Sequence, residues 1–229
     1  MSDYVVIVGP WPSPRPVSVH PAMASITRNP KRSKAQGESV VIQVAAALER
    51  LLRDGHNFTS LGVQRISDEA GIARSSFYRY FPDKSALLIK VTELAASDAF
   101  SILVAWTETG FDDREDLQKT LGAVVAQQRQ HSDLLAALQE VSGYDQDVAR
   151  FWRQLVESGA GSLRERLVKG QKDGTVDPDI DPATTASFLV WGAERLIALH
   201  VAETPATEDA AMARRLSFTF WAALGKSKA

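Results

Sequence analysis

A chain of 229 residues with 45% hydrophobic and 24% charged side chains has the composition of a soluble globular protein of one or two domains. The absence of cysteine excludes a disulfide framework, a thiolate zinc site and a cysteine nucleophile, and it suits a reducing cytosol, so a cytoplasmic location is expected. The net charge of -2 conceals an asymmetry: residues 1–90 hold 12 Lys/Arg against 7 Asp/Glu and the remainder 14 against 21, so the basic front part points to a polyanion partner.

The apolar run Val5 to Val8 is too short for a signal-peptide core, and Pro10, Pro12, Pro14, Pro16 and Pro21 forbid a continuing helix. Residues 1–35 read as a disordered basic and proline-rich arm, whose Arg28, Lys31, Arg32 and Lys34 are suited either to touching nucleic acid or to plain solvation. Met23 offers a second start for translation within it. From Ser39 apolar residues recur three and four apart (Val41, Val44, Leu48, Leu51), which predicts a first helix ended by "DGHN". A short helix is predicted from Gly62 to Ala70, a tight turn at Gly71, a third helix from Arg74 to Phe81 stopped by Pro82, and a fourth capped by Asp83.

Beyond Gly110 no strand pattern occurs, and helices are predicted over 113–129, 132–142, 145–172, 182–202 and 207–224. The fold class is therefore all-α with about nine helices. Glu194 and Arg195 interrupt the most apolar stretch, so no membrane span is expected.

Residues 66–84, "ISDEAGIARSSFYRYFPDK", carry the chemistry. Two short helices joined by a glycine turn, with a packing helix before them, form a helix-turn-helix, whose second helix enters the DNA major groove. At about 100° per residue Phe77 and Phe81 share an inward face, leaving Arg74, Ser75, Ser76 and Arg79 outward with Tyr78 and Tyr80 flanking. No carboxylate stands between Glu69 and Asp83, so phosphate is not repelled there. Arginine can pair with guanine, serine can reach base edges or phosphate, and tyrosine hydroxyls can bond phosphate. Lys84 in the first turn of the fourth helix is suited to gripping phosphate together with that helix's N-terminal amides.

The stretch "AGIARSSFYRYFPDKSALL" resembles the DNA-binding signature of the TetR family of bacterial transcriptional regulators, through Ala70, Gly71, Ala73, Tyr78, Phe81 and Lys84. It departs where Ala73 and Gly62 replace the usual hydroxyl caps and Tyr80 a frequent histidine; alanine caps a helix poorly. The resemblance covers about residues 40–95. It implies a helix-turn-helix DNA-binding domain over 36–84 and a ligand-binding and dimerisation domain over 85–229. It further implies a repressor that binds a palindromic double-stranded DNA operator as a homodimer and is released by a small apolar effector. The alternative from another class is an architectural DNA-binding protein without effector. Neither an enzymatic activity nor a cofactor is expected.

For the ligand domain the apolar stripes single out Leu117, Leu121 and Val124 on the fifth helix, Trp152 and Val156 on the seventh, Phe188 and Trp191 on the eighth, and Trp221 on the last. Large rigid rings line apolar cavities well. Glu194 and Arg195 are either a polar anchor in that cavity or a rim of the subunit interface, and the rim is the expectation. Small residues on the last two helices (Ala186, Gly192, Ala193, Ala210, Ala213, Ala222) permit close packing between two copies. Other constellations fail. In the Asp177, Asp179, Asp181 run, Pro182 stands where a calcium loop needs glycine. Gly225 to Ser227, "GKS", lacks the first glycine of a phosphate loop, and the four histidines lack metal-ligand spacing.

Overall fold

A computed structural model describes residues 30–109 and 113–224, and among them every regular element is helical. The order is α1 (Pro30–Arg53), α2 (Val63–Glu69), α3 (Arg74–Tyr80), α4 (Lys84–Thr109), α5 (Arg114–Gln130), α6 (Ser132–Ser142), α7 (Gln146–Lys172), α8 (Pro182–Glu203) and α9 (Asp209–Ala223), with one 3-10 turn at Ala206–Glu208. One expectation is corrected at the front: residues 30–35 belong to α1 rather than to a disordered arm, because Pro30 sits where a helix tolerates proline, at its first position. The remainder of the expected arm, residues 1–29, and the "GKS" stretch lie outside the described residues.

Several boundaries have a local cause. Asp113, Asp145 and Asp181 accept hydrogen bonds from first-turn amides of α5, α7 and α8, and Pro182 follows Asp181 at the first helical position. Asp83 does the same for α4 through the Ala86 amide, at 2.7 Å. Gly71 ends the turn after α2 with φ of +66°, a conformation that a residue with a Cβ adopts only under strain. At Gly170 the reason is space: a Cβ would come within 2.5 Å of Val176 Cγ2, so only glycine lets the chain after α7 fold back.

Two apolar cores result. The first gathers Val44, Leu48 and Leu51 of α1 with Ile66, Phe77, Phe81, Leu87 and Leu88, and it takes in Leu134, Leu138 and Val141 of α6. The second joins α5, α7, α8 and α9 through Leu117, Leu121, Leu163, Leu189, Ile197 and Phe220. Helix α6 lies well beyond residue 84 yet packs against α1 and α4, so the head formed by α1 to α3 shares its core with α6.

Candidate nucleic-acid interface and cavity

The third helix presents two faces. Phe77 and Phe81 are buried, with ring centroids 5.3 Å apart, and Phe77 meets Tyr78 edge-on at 5.5 Å. Arg74, Ser75, Tyr78 and Arg79 are exposed and Ser76 is half-buried. Arg74 lies over the Tyr78 ring, 5.7 Å from its centroid, with Nη2 donating to the phenol oxygen at 3.4 Å. That stacking holds a guanidinium and a hydroxyl side by side on an outward surface. Neither Gly62 nor Ala73 caps its helix with a side chain.

Two expected outward residues turn inward. Tyr80 is half-buried against the first core, and its ring edge approaches Gly37 so closely that a Cβ there would lie 3.3 Å from Cε1. Lys84 donates its three ammonium protons to the carbonyls of Phe58, Thr59 and Leu61, at 3.1, 3.0 and 2.7 Å. Its Nζ also lies 5.0 Å from the centre of the Phe58 ring. Burial pulls this ammonium below the ordinary lysine range. The expected phosphate grip is therefore corrected: an ammonium has three donors, all engaged here in closing the loop between α1 and α2. Among exposed basic groups Arg50 bridges α1 to α2, with Nε on Glu69 Oε1 at 3.0 Å.

The head is tied to the rest by a polar seam. Asn57 Nδ2 donates to Glu140 Oε2 at 3.3 Å and Thr59 Oγ1 to Glu140 Oε1 at 2.7 Å, leaving the Tyr144 hydroxyl to donate to Thr59 Oγ1 at 2.8 Å. Ser85 Oγ donates to Asp145 Oδ2 at 2.6 Å, and this bond holds the Asp145 carboxyl below the ordinary carboxylate range. At the other end of α6, His131 Nδ1 stands 3.5 Å from Glu49 Oε1 on α1.

Behind α6 a partly open cavity of about 180 Å³ is lined by residues of α4 to α9. An apolar cavity of about 150 Å³ accepts a benzene molecule, so this one admits a ring with a short tail. Of the eight side chains expected there, Leu121, Val124, Trp152 and Val156 stand on its wall. The other four are corrected. Leu117 is buried in the second core and Trp221 packs against it, both away from the cavity. Trp191 is half-buried but not on the wall, and Phe188 is 74% exposed on the outer face of α8. Sequence reasoning missed Leu135, Val190 and Ile197, which together with Phe220 of the last helix's apolar stripe complete the apolar wall. The small residues Ala95, Gly159 and Ala193 were missed as well; they leave the space that larger side chains would fill.

Glu194 and Arg195 part company, which corrects the expectation that both form a rim. Arg195 is exposed, whereas Glu194 lies on the cavity wall and accepts a hydrogen bond from Gln139 Nε2 of α6 at 3.0 Å. Burial pushes its carboxyl above the ordinary range, opposed by the Arg195 charge and the Gln139 bond. Among the described residues no cluster of side chains is suited to hold a metal ion, and no helix is long and apolar enough to cross a membrane.

Comparison with known proteins agrees with this arrangement. Residues 45–91 match the family model of bacterial regulatory proteins of the tetR family. The chain is 23% identical over 193 residues to the HTH-type transcriptional regulator EthR of Mycobacterium tuberculosis, covering 82% of this chain and 88% of that protein. It shares its fold with FadR from Bacillus subtilis, solved in complex with stearoyl-CoA, at 14% identity and a TM-score of 0.66 over 81% of this chain and 98% of that one. The fatty acid degradation regulator FadR from Bacillus halodurans is similar at 16% identity and a TM-score of 0.67, over 82% and 96% of the two chains.

Proposed function

We propose, from the premise that the chain belongs to the TetR family of bacterial transcriptional regulators, that it is a ligand-responsive repressor. In this reading a homodimer binds a palindromic double-stranded operator and leaves it when a small, largely apolar effector occupies the cavity. The observation that carries the reading is the position of α6. His131 and Leu135 face the cavity, while Leu134, Leu138 and Glu140 are fastened to the head. A molecule that pushes on one side of this helix must strain the other.

Arg74, Ser75, Ser76, Tyr78 and Arg79 are the side chains that meet DNA, with Tyr80 and Lys84 holding the frame from behind. Leu121, Val124, Trp152 and Val156 contact the effector. The exposed apolar residues Phe188, Leu196 and Leu199 of α8 and Phe218 of α9 form the surface that two copies bury against each other. Recognition helices in such dimers must sit about 34 to 36 Å apart to enter successive major grooves. An effector that favours another spacing lowers operator affinity by at most its difference in affinity for the two states. The stearoyl-CoA bound by the Bacillus subtilis protein of the same fold supports an effector with an apolar body, as analogy.

The test is to incubate the purified protein with fragmented genomic DNA of its own organism and sequence what it retains. The expected result is a small set of fragments sharing an inverted repeat with half-sites about one helical turn apart or a multiple of it. Retention of fragments without any shared repeat would overturn the operator reading and leave the architectural alternative.

A further inference from the structure

Glu194 is the only carboxylate on the wall of the cavity among the described residues. It stands at a wall that is largely apolar, with Leu121, Val124, Trp152, Val156 and Ile197 among its residues, where an isolated charge is expensive to desolvate. A carboxyl group in that setting accepts hydrogen bonds and attracts cations, and in the structure it has one protein donor, the Gln139 amide at 3.0 Å. Arg195, the adjacent cation, is exposed and not on the cavity wall. The other ionisable side chain on the wall, His131, sets its Nδ1 toward Glu49 outside the cavity, at 3.5 Å. Gln127, Gln128 and Ser162, the other polar side chains on the wall, are neutral; Ser162 donates to the Ser158 carbonyl, and Gln127 Oε1 is a buried acceptor without a partner.

We propose that the effector is a molecule with a compact apolar body and a cationic hydrogen-bond donor, a primary amine, and that Glu194 is the side chain that selects it. An ammonium against Glu194 offsets the desolvation that the buried carboxylate now bears and supplies donors for its free lone pairs. The same contact draws Glu194 from Gln139, the one hydrogen bond that joins the cavity wall on α8 to α6. Recognition and release of the head are then one event: the amine competes with Gln139 for the carboxylate, and α6 loses its anchor. This proposal rests on the reading of the cavity as an effector site.

A matched series separates the two. We would titrate the full-length protein by calorimetry at neutral pH with 2-phenylethylamine, 2-phenylethanol and phenylacetate, which share a body sized for about 180 Å³ and differ only in the polar end. The amine is expected to bind at least about tenfold tighter than the carboxylate, a difference of about 1.4 kcal/mol. Glu194→Gln, a near-isosteric change that keeps an acceptor and removes the charge, is expected to bring the ratio to within about threefold. Phenylacetate binding as tightly as the amine, or an unchanged ratio in E194Q with a native unfolding temperature, would overturn the amine proposal while leaving the cavity as an effector site. Binding of none of the three would overturn the effector reading itself, and the proposal with it.

Discussion

Arg129 holds Asp209 with two parallel hydrogen bonds, Nε to Oδ2 at 2.7 Å and Nη2 to Oδ1 at 2.6 Å, and so fixes the end of α5 to the start of α9. Arg129 Nη1 also reaches the Val201 carbonyl at 3.2 Å, and His200 Nε2 lies 2.9 Å from Asp209 Oδ1. Three helices that wall the cavity are thereby pinned at one point.

That pin has a pH signature. The Arg129 hydrogen bond holds the Asp209 carboxyl below the ordinary range; burial opposes it, and the His200 hydrogen bond adds to it. A carboxyl with a depressed folded pKa contributes stability above its unfolded value, about 3.9, and loses it as pH falls through the folded one. Both side chains remain about one-fifth exposed (23% and 20%), so the contribution is smaller than for a fully buried pair. Asp209→Asn should cost about 1 to 2 kcal/mol at pH 7, a fall of about 2 to 8 °C in unfolding temperature for a chain of this size. The gap between wild type and variant should narrow in melts as pH falls below about 3.9, the unfolded value, and close once pH has passed the lower folded one; a gap that stays constant as the carboxyl is protonated would mean that its charge contributes nothing.

Lys84 offers a second test, because its two readings differ in what they do to salt dependence. Lys84→Met leaves the carbonyls of Phe58, Thr59 and Leu61 without their shared donor, so the variant should melt earlier. If the ammonium neutralised a phosphate, the slope of log affinity against log salt would also become shallower by about 0.9. The expected outcome is lower stability with the slope unchanged.

How much of this was legible in the sequence depends on what each feature needs. Helix ends were readable because their causes are local: Asp83 before Lys84, or Asp181 before Pro182, specify a cap without reference to the rest of the chain. The inward turn of Phe77 and Phe81 followed from helical spacing alone. The cavity was half readable. An apolar stripe shows which residues avoid water, but not which side of the helix has a partner within the same chain. Phe188 and Val190 are both apolar and two positions apart on α8, yet one is 74% exposed and the other on the cavity wall. Lys84 was misread because its partners are backbone carbonyls, which every sequence possesses and none displays.

Phe77→Ala should unfold the reading head rather than merely weaken its contacts. The ring is the largest fully buried side chain among the described residues and touches Tyr78 and Phe81 within the first core. Removing it should cost about 3 to 5 kcal/mol. Loss of DNA binding with an unaltered melting profile would contradict this.

Arg79→Ala should behave in the opposite way, leaving stability intact and weakening operator binding, since the side chain is exposed and stands on the outer face of α3. A loss of about 1 to 3 kcal/mol confined to one operator position would identify a base contact, whereas equal weakening on all sequences would identify a phosphate contact. Unchanged affinity at moderate salt would mean that α3 meets DNA with another face.

The last expectation concerns the two ends of α6. If occupancy of the cavity is read out through that helix, operator and effector are linked, and the linkage must be reciprocal: whatever factor the effector takes from operator affinity, operator must take from effector affinity. Calorimetric titration of the tightest-binding phenylethyl compound, with and without a retained DNA fragment, measures one factor, and fragment binding with and without the compound measures the other. The factors should agree and exceed about fivefold. Glu49→Gln and Glu140→Gln alter the links at the two ends of α6, to His131 and to Asn57 and Thr59, without touching the cavity wall or removing any apolar contact of the head. Either variant should reduce both factors together while affinity for each partner alone changes less. Equal compound affinity with and without the DNA fragment in the wild type would show a cavity that binds but does not switch, and undiminished factors in both variants would place the path elsewhere than α6.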